Sequence, residues 1–427
     1  MTIWCLYADL VGTPELEQLA RRVQAASRLV ARAPGPVRDE ALRMAADLLE
    51  QEWAAVLEAN RDDLARAESA GMAAPVQDRL RLSEARLAAM AAGLRTVAGL
   101  ADPVGEVVDG WVRPNGLRVS RLRVPLGVVG VIYENRPNVT SDAAGLCLKA
   151  GNAAFLRGSD SALASNRAIV SVLRRAAAKA GLPEDAVALV EDTSHETAVA
   201  FMRLRGRIDC LIPRGGPALI ASLLEHATVP YVLDGDGNCH VYVDAAADLA
   251  MALDIVVNAK AHRFGVCNAA ETILVHAGVA VEFLPAMEAA LVAAGVELRG
   301  DARVRAVLPG VGLADESDFA TEYLGPTVAV GVVDDLDGAI AHIVRFSSGH
   351  SEAIVTTDVR AADRFVAEVD AAAVLVNAST RFVDGEELGL GAEVGISTQK
   401  LHARGPMGVR ELTSVKWVVR GDGQVRR

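Results

Sequence analysis

The spacing of hydrophobic residues changes character near residue 104. Over residues 15–100, apolar side chains recur at helical spacing, and arginine and glutamate fill the opposite face, which predicts a series of amphipathic helices. Pro75 and Ser83 are predicted to mark breaks or caps between these helices. The pattern indicates packing, so we assign no chemistry to this region.

Two short strands around a turn are predicted next. Residues 107–112 and 117–124 flank Pro114-Asn115-Gly116, a combination typical of a hairpin. Residues 412–420 form another predicted strand that has no obvious partner nearby in sequence. Because an unpaired strand edge readily pairs with a second chain, we expect the hairpin arm 105–125 and the tail 406–427 to serve oligomerisation.

Short apolar runs alternate with helical segments over the rest of the chain. The first series comprises residues 127–133, 153–156, 186–190, 207–212 and 238–243. The second comprises residues 272–275, 328–333, 352–356 and 373–376. Buried strands separated by helices predict parallel sheets. We therefore expect an α/β protein with two doubly wound lobes, one within residues 1–260 and the other within residues 261–405.

Composition narrows the class of protein. The 427-residue chain carries a net charge of −12 at pH 7, which argues against nucleic acid or an anionic membrane as a partner. No apolar run approaches the roughly 20 residues that span a bilayer, and the N-terminal segment lacks the basic residues of a signal peptide. The 5 cysteines are odd in number and form no C-x-x-C pair, which favours a reducing cytoplasm over a disulfide framework or a zinc site.

Cys267 is the candidate nucleophile. It lies between Gly265 and Asn268, just before the predicted strand 272–275, so a turn could leave the thiol uncovered. The thiolate is the reactive form of cysteine, and modest electrostatic help ionises it near neutral pH. Nearby positive groups could supply that help: Lys260, His262 and Arg263. The alternative, more common for a lone cysteine, is a buried structural thiol.

Two segments suit a nucleotide, although no G-x-G-x-x-G follows a strand. Arg157-Gly158-Ser159-Asp160 and Pro213-Arg214-Gly215-Gly216 each end a predicted strand and open a helix, where free N–H groups and an arginine can hold phosphate. Ordinary helix capping is the alternative at both.

A metal site is not predicted. Residues 234–238 imitate the start of a calcium loop, but Cys239 stands where glycine is required and Ala245 where glutamate is required.

Taken together, these segments resemble the aldehyde dehydrogenase superfamily and, within it, the family of γ-glutamyl phosphate reductases. The resemblance runs from Arg79-Leu80 to the terminal GDGQVRR, and is most specific over residues 333–354, VDDLDGAIAHIVRFSSGHSEAI. That stretch departs from the family at Phe346, and the nucleophile region departs at His262 and Phe264. The run GLGAEVGISTQKLHARGPMG is also similar to this family and not to general aldehyde dehydrogenases.

The resemblance implies an aldehyde dehydrogenase-like fold with two Rossmann-like three-layer lobes and an oligomerisation hairpin. Residues 1–260 would bind NADP, interrupted by the arm, and residues 261–405 would carry the nucleophile. The implied catalytic residues are Cys267 and, as oxyanion donor in an N-x-P turn, Asn135. The implied cofactor-binding residues are Arg157, Gly158, Ser159, Arg214, Gly215, Gly216 and Glu322, and the candidates for the substrate's phosphate or carboxylate are Arg263, His350 and Ser351.

The reaction implied is reduction of L-glutamyl 5-phosphate by NADPH to L-glutamate 5-semialdehyde and phosphate through a cysteine thioester, the second step of proline biosynthesis. Hydrolytic relatives place a glutamate base where this chain has Leu233-Asp234-Gly235-Asp236, so no water-activating glutamate is present, although Asp234 is a possible substitute. The implied partners are glutamate 5-kinase, which could deliver the substrate, and further copies of the chain in a homodimer or homotetramer.

Two alternatives remain open. One is a coenzyme A-acylating or hydrolytic aldehyde dehydrogenase of the same fold; the signature over residues 342–354 argues against coenzyme A. The other is a non-catalytic binding protein on that scaffold. The presence of Cys267, Asn135 and Glu322 together argues against a non-catalytic protein, because a site that no longer catalyses a reaction has no physical need for all three.

Overall fold

The computed structural model describes residues 13–233 and 235–426, which divide into two compact units. The first unit contains the described residues of Met1–Leu233, Leu390–Gly395 and Met407–Arg427. The second contains those of Asp234–Gly389 and Ile396–Pro406. Within the described residues, no helix is both long enough and apolar enough to cross a membrane.

The regular elements follow the chain in a helical region and then in alternation. The helices are α1 Pro14–Val30, α2 Gly35–Gln51, α3 Trp53–Ser69, α4 Ala74–Leu80, α5 Glu84–Gly99, α6 Pro137–Lys149, α7 Leu163–Lys179, α8 His195–Met202, α9 Pro217–His226, α10 Leu249–Ala261, α11 Ala277–Ala293, α12 Ala302–Val307, α13 Glu316–Phe319, α14 Leu336–Phe346 and α15 Val359–Glu368. The strands are β1 Val107–Val112, β2 Arg118–Pro125, β3 Val128–Tyr133, β4 Ala153–Arg157, β5 Val187–Leu189, β6 Cys210–Arg214, β7 Cys239–Val243, β8 Ala270–His276, β9 Glu297–Gly300, β10 Gly312–Leu313, β11 Thr327–Val333, β12 Ser351–Val355, β13 Ala373–Val376, β14 Ile396–Ser397, β15 Gly405–Pro406 and β16 Thr413–Arg420.

The core of the first unit is a parallel sheet of four strands in the order β5-β4-β3-β6. All six residues of β3 are buried, as expected for a strand covered on both faces. The predicted helical region is confirmed as α1–α5, and the Ser83 side chain caps α5 by accepting a hydrogen bond from the Arg86 N–H. The chain leaves β3, β4 and β6 at one edge of this sheet, where parallel strands bring their carboxyl ends together.

The predicted hairpin is confirmed, and the C-terminal strand, which has no partner nearby in sequence, pairs with it. Strand β16 pairs antiparallel with β2 from Thr413 opposite Pro125 to Arg420 opposite Arg118, giving a three-stranded sheet in the order β1-β2-β16. Trp111 and Trp417 pack edge to face with ring centroids 5.6 Å apart, and both remain exposed. Only the outer edges of this sheet remain for a second chain.

The second unit contains a parallel sheet of seven strands in the order β10-β9-β11-β8-β7-β12-β13. Strand β7 lies between β8 and β12 here, so the expectation that residues 238–243 close the first series is wrong. The division between the units accordingly falls at Leu233 and not at residue 260. The short strands β9 and β10 at one edge had no predicted counterpart.

Candidate active site

Asn135 lies in the turn between β3 and α6 of the first unit, in the left-handed region with φ 48°. Asparagine adopts this conformation more readily than most residues, because its short side chain can hydrogen-bond locally. Its backbone N–H donates to Ser159 Oγ at 3.1 Å, and its Oδ1 accepts a hydrogen bond from Ser161 Oγ. The turn that carries the predicted oxyanion donor is therefore tied to the loop after β4.

Arg157 ends β4 and is engaged with the backbone of a neighbouring loop. Its Nη2 donates to Thr193 O at 2.6 Å and to Ser194 O at 3.0 Å. Burial lowers the pKa of the guanidinium, against the opposing effect of Asp192. Its Nε is buried without a hydrogen-bond partner in the described chain. Arg157 thus anchors the loop before α8 and retains one unsatisfied donor.

Gly158 follows directly, and its lack of a side chain is a steric requirement. A Cβ at this position would collide with the side-chain amide of Asn166, which is fully buried. Gly158 is itself buried, so the backbone directly after β4 packs closely against Asn166.

The predicted phosphate segment at Arg214 to Gly216 connects β6 to the N-terminus of α9. The Gly216 N–H donates to Glu134 Oε2 at 3.0 Å, and a Cβ on Gly215 would lie 2.7 Å from the same oxygen. A carboxylate at a helix N-terminus is favourable because the helix dipole is positive there. Glu134 thus satisfies a donor that the prediction reserved for a cofactor phosphate.

Cys267 is half-buried in the turn between α10 and β8 of the second unit, as predicted. The turn is held on one side by Gly237, where a Cβ would collide with the Cys267 carbonyl, and by Cys239, whose Sγ donates to that carbonyl at 3.1 Å. On the other side, Asn268 Nδ2 donates to Val383 O at 3.0 Å, and Thr380 Oγ1 donates to Asn268 O at 2.7 Å. The backbone around the thiol is therefore fixed from both directions.

The positive groups near Cys267 differ in part from those predicted. Lys260 is fully buried, and its Nζ lies 2.5 Å from Glu271 Oε2, so its charge is compensated and not available to the thiol. Burial lowers the pKa of Lys260 and raises that of Glu271 to about 7, although each charge stabilises the other. His262 and Arg263 are exposed.

Arg381 is a cation at this site that the sequence did not reveal. It follows Thr380, whose hydroxyl donates a hydrogen bond to the carbonyl of Asn268, the residue after Cys267. The Nε of Arg381 donates to His262 Nδ1 at 3.3 Å. Burial lowers the pKa of Arg381, the charge of Arg263 lowers it further, and Asp384 and Cys267 act in the opposite direction. Two arginines thus interact electrostatically beside the nucleophile. In the sequence, the signal that could have pointed to Arg381 was the run of polar residues after β13.

Glu322 is brought close to the nucleophile's turn through a shared neighbour. Its Oε1 accepts a hydrogen bond from the Gly237 N–H at 2.8 Å, and Gly237 packs against Cys267. Two residues later, Leu324 has a φ of 49° and donates its N–H to Glu271 Oε1 at 3.2 Å. The buried Lys260 and Glu271 pair therefore supports the loop that carries Glu322.

His350 and Ser351 stand at the start of β12 with no exposed surface. His350 Nδ1 lies 2.8 Å from Ser351 Oγ and 3.7 Å from Cys239 Sγ. This placement favours support of the Cys267 turn through Cys239 over direct contact with a substrate. Arg263, the third predicted substrate contact, is exposed. Asp234, the possible substitute base, lies outside the described residues.

The fold and this half-buried cysteine in a fixed turn define a class. The model of the aldehyde dehydrogenase family matches residues 10–308 and 311–418, and the chain belongs to that family. Within it, the chain is 54% identical over 413 residues to the gamma-glutamyl phosphate reductase of Moorella thermoacetica, covering 97% of this chain and 99% of that protein. The enzyme of the same name from Caldanaerobacter subterraneus is 52% identical, with 97% and 100% covered.

Solved structures give the same result. The gamma-glutamyl phosphate reductase of Thermotoga maritima has a TM-score of 0.95 and 47% identity, covering 97% of this chain and 100% of that chain. A propionaldehyde dehydrogenase of Rhodopseudomonas palustris with bound CoA reaches 0.68 at 17% identity over 95% of this chain and 97% of that chain, which shows the fold alone. The predicted fold class and family are confirmed.

Proposed function

We propose that the chain reduces L-glutamyl 5-phosphate to L-glutamate 5-semialdehyde and phosphate with NADPH, the second step of proline biosynthesis from glutamate. The observation that carries the proposal is identity above 50% to gamma-glutamyl phosphate reductases over 97% of the chain. The half-buried Cys267, held in a turn beside two arginines, is consistent with it.

The residues present fit a dinucleotide. Gly215 is exposed just before the N-terminus of α9, and the buried Arg157 Nε is an unsatisfied donor suited to a phosphate or a ribose oxygen. We propose that Arg157, Gly158 and Ser159 hold the adenosine end, that Arg214 to Gly216 face the pyrophosphate, and that Glu322 accepts from the nicotinamide ribose. NADPH supplies a hydride when bound.

The covalent work falls to Cys267. Its Sγ attacks the γ-carbonyl carbon, a C–S bond forms, and the C–O bond to phosphate breaks as phosphate leaves. Hydride addition converts the thioester to a thiohemiacetal, whose oxyanion reforms the carbonyl as the C–S bond breaks and the thiolate is regenerated. Asn135 Nδ2 is the proposed donor to the oxyanion in both steps, a contribution worth about 3 kcal/mol of barrier.

An acyl phosphate brings negative charge to a chain whose net charge is −12, so local cations matter. Arg263 and Arg381 are our candidates for its phosphate, because a guanidinium binds phosphate through paired hydrogen bonds. His350 and Ser351, having no exposed surface, would act from behind the turn.

The proposed function also implies a source of the substrate, a cellular compartment and an oligomeric state. Glutamate 5-kinase is the proposed source of the acyl phosphate, and the cytoplasm is the proposed compartment. A homodimer or homotetramer through the three-stranded arm is supported by the exposed Trp111 and Trp417, which are 41% and 59% exposed, on a sheet with open edges.

The reverse reaction tests the proposal against its rivals. NADP⁺ reduction by glutamate 5-semialdehyde is measured with phosphate, arsenate, coenzyme A or no added nucleophile. We expect phosphate and arsenate to support turnover, because each attacks the thioester without a base. Turnover with coenzyme A alone would indicate an acylating enzyme. Turnover with no nucleophile would indicate a hydrolytic one, and Asp234 would then be the residue to mutate. No turnover and no NADPH binding would indicate a non-catalytic protein.

A further inference from the structure

Asn135 and the hydroxyls of Ser159 and Ser161 form a closed ring of hydrogen bonds. The Asn135 N–H donates to Ser159 Oγ at 3.1 Å, Ser159 Oγ lies 2.8 Å from Ser161 Oγ, and Ser161 Oγ donates to Asn135 Oδ1. The direct path from Ser159 Oγ to Asn135 Oδ1 is longer, at 3.5 Å. All three residues are half-buried, so water competes only partly for these groups.

The ring has a defined direction. A backbone N–H can only donate, so Ser159 Oγ is an acceptor there and its own proton is available to Ser161 Oγ. Ser161 Oγ then gives its proton to Asn135 Oδ1, which as an amide oxygen can only accept. The amide of Asn135 is thereby fixed with its oxygen toward Ser161. Its Nδ2 faces the other way and has no hydrogen-bond partner among the described residues.

Ordinary helix capping does not account for these serines. Ser159 stands at the N-cap of the short 3-10 turn Asp160–Ala162, but its side chain makes no capping hydrogen bond. Ser161 lies inside that turn and directs its hydroxyl to Asn135 instead. Asn135 is also in the left-handed region, a conformation that persists where surrounding contacts hold it.

We propose that Ser161, linked through Ser159, is a positioning residue that orients the Asn135 amide so that Nδ2 is presented to the oxyanion. This inference rests on the proposed function, since it assigns Asn135 a substrate-facing donor. The ring fixes the backbone N–H and the side-chain oxygen of the same residue, so both the turn and the rotation of the amide are determined before substrate arrives.

Ser161→Ala removes the proton that selects the amide oxygen. The amide can then rotate, and kcat should fall about 10-fold, part of the 10²–10³ that loss of a whole oxyanion donor costs. The NADPH dissociation constant should stay within about twofold, because the cofactor contacts proposed above remain. Ser161→Thr keeps the hydroxyl and should recover kcat to within about threefold of wild type. Ser171→Ala, on the exposed face of α7, is the matched control and should leave kcat unchanged.

A double-mutant cycle separates positioning from an independent role. Asn135→Ala should lower kcat by about 10²–10³, and adding Ser161→Ala to it should change kcat by less than about twofold, because Ser161 then has no amide to orient. Asn135→Asp keeps the side-chain acceptor for Ser161 and the backbone donor to Ser159, but it loses the Nδ2 donor. Its kcat should fall as far as that of Asn135→Ala, while its melting temperature should stay near that of the wild type.

The outcomes are distinguishable from failure of the proposed function. A wild-type enzyme without phosphate-dependent semialdehyde oxidation would overturn that function. If the wild type is active, two results would overturn the positioning role of Ser161: wild-type kcat in Ser161→Ala, or multiplicative losses in the double variant. A fall in kcat for Ser161→Ala that disappears in the Asn135→Ala background would support it.

Discussion

Glu271 accepts a hydrogen bond from the backbone N–H of Leu324, a residue held at a φ of 49°, while its other oxygen lies 2.5 Å from Lys260 Nζ. A non-glycine residue in the left-handed region costs about 1–3 kcal/mol and persists only where its surroundings hold it. The Glu271 carboxylate thus joins a buried cation to a strained loop. That loop carries Glu322, the proposed nicotinamide-ribose acceptor.

Substitutions in the Lys260–Glu271 pair should affect the stability of the protein and its affinity for NADPH in different ways. Glu271→Gln leaves Lys260 buried without its counterion and should cost about 3–5 kcal/mol of stability, measured by thermal unfolding. Lys260→Met with Glu271→Leu removes both charges and should recover most of that loss. Because the double variant still lacks the anchor on Leu324, its NADPH dissociation constant should remain raised.

The matched control is an exposed ion pair. Arg345 and Glu316 are 60% and 73% exposed, and Arg345→Met should cost less than about 1 kcal/mol without changing NADPH binding. Wild-type NADPH affinity in the Lys260→Met, Glu271→Leu variant would show that the pair does not position the loop.

The cysteines should differ sharply in reactivity. Burial raises the pKa of Cys210 to about 12, and it also raises the pKa values of Cys147 and Cys239, so these three thiols stay protonated and covered. Iodoacetamide at about pH 8 should therefore modify Cys267 first, as followed by peptide mass mapping. Cys5 lies outside the described residues and should be mapped separately.

Enzymatic activity should likewise depend on Cys267 and not on the buried cysteines. Cys267→Ala should abolish turnover and leave NADPH binding largely intact, whereas Cys147→Ala should keep substantial activity. Equal losses in both variants would contradict the assignment of the nucleophile.

Arg157 is predicted to favour NADPH over NADH by pairing with the 2′-phosphate. Arg157→Glu should raise KM for NADPH more than KM for NADH, because only NADPH carries the repelled charge. The structure supplies the competing explanation, since Arg157 also binds the backbone of Thr193 and Ser194. If both cofactors weaken in parallel and the melting temperature falls, the arginine is structural and the preference has another source.

Arg381 should matter for phosphate specifically. In the oxidative direction, Arg381→Gln should raise KM for phosphate about 10-fold or more, since a hydrogen bond to a charged group contributes about 1.5–3 kcal/mol. KM for NADP⁺ should change little. Arg360→Gln, on the exposed start of α15, is the matched control. An unchanged KM for phosphate in Arg381→Gln would remove Arg381 from the substrate site.

Most of the fold could be predicted because its strands are short, apolar and separated by helices. The assignment of β7 to the wrong lobe has a clear reason: a buried parallel strand carries no mark of which sheet it joins. The partner of β16 was missed for a related reason, because β2 lies far away in sequence and pairing over such a distance leaves no local pattern.

The site was predicted in part. The turn that carries Cys267 follows from the residues around it, whereas the compensation of Lys260 by Glu271 depends on a contact between a helix and a strand that periodicity does not show. Arg381 lies beside the nucleophile because Asn268 and Thr380 are hydrogen-bonded, and the ring at Asn135 depends on two loops that leave neighbouring strands. These are tertiary contacts between polar residues, and a single sequence specifies them only through the fold.

The central claim is that catalysis passes through a thioester on Cys267. The most direct test is to incubate the enzyme with glutamate 5-semialdehyde and NADP⁺ without phosphate, quench in acid, and map acyl adducts by mass spectrometry. We expect a glutamyl adduct on the peptide carrying Cys267, lost when phosphate is added before the quench. An adduct on another residue, or phosphate-independent oxidation with no adduct, would contradict it.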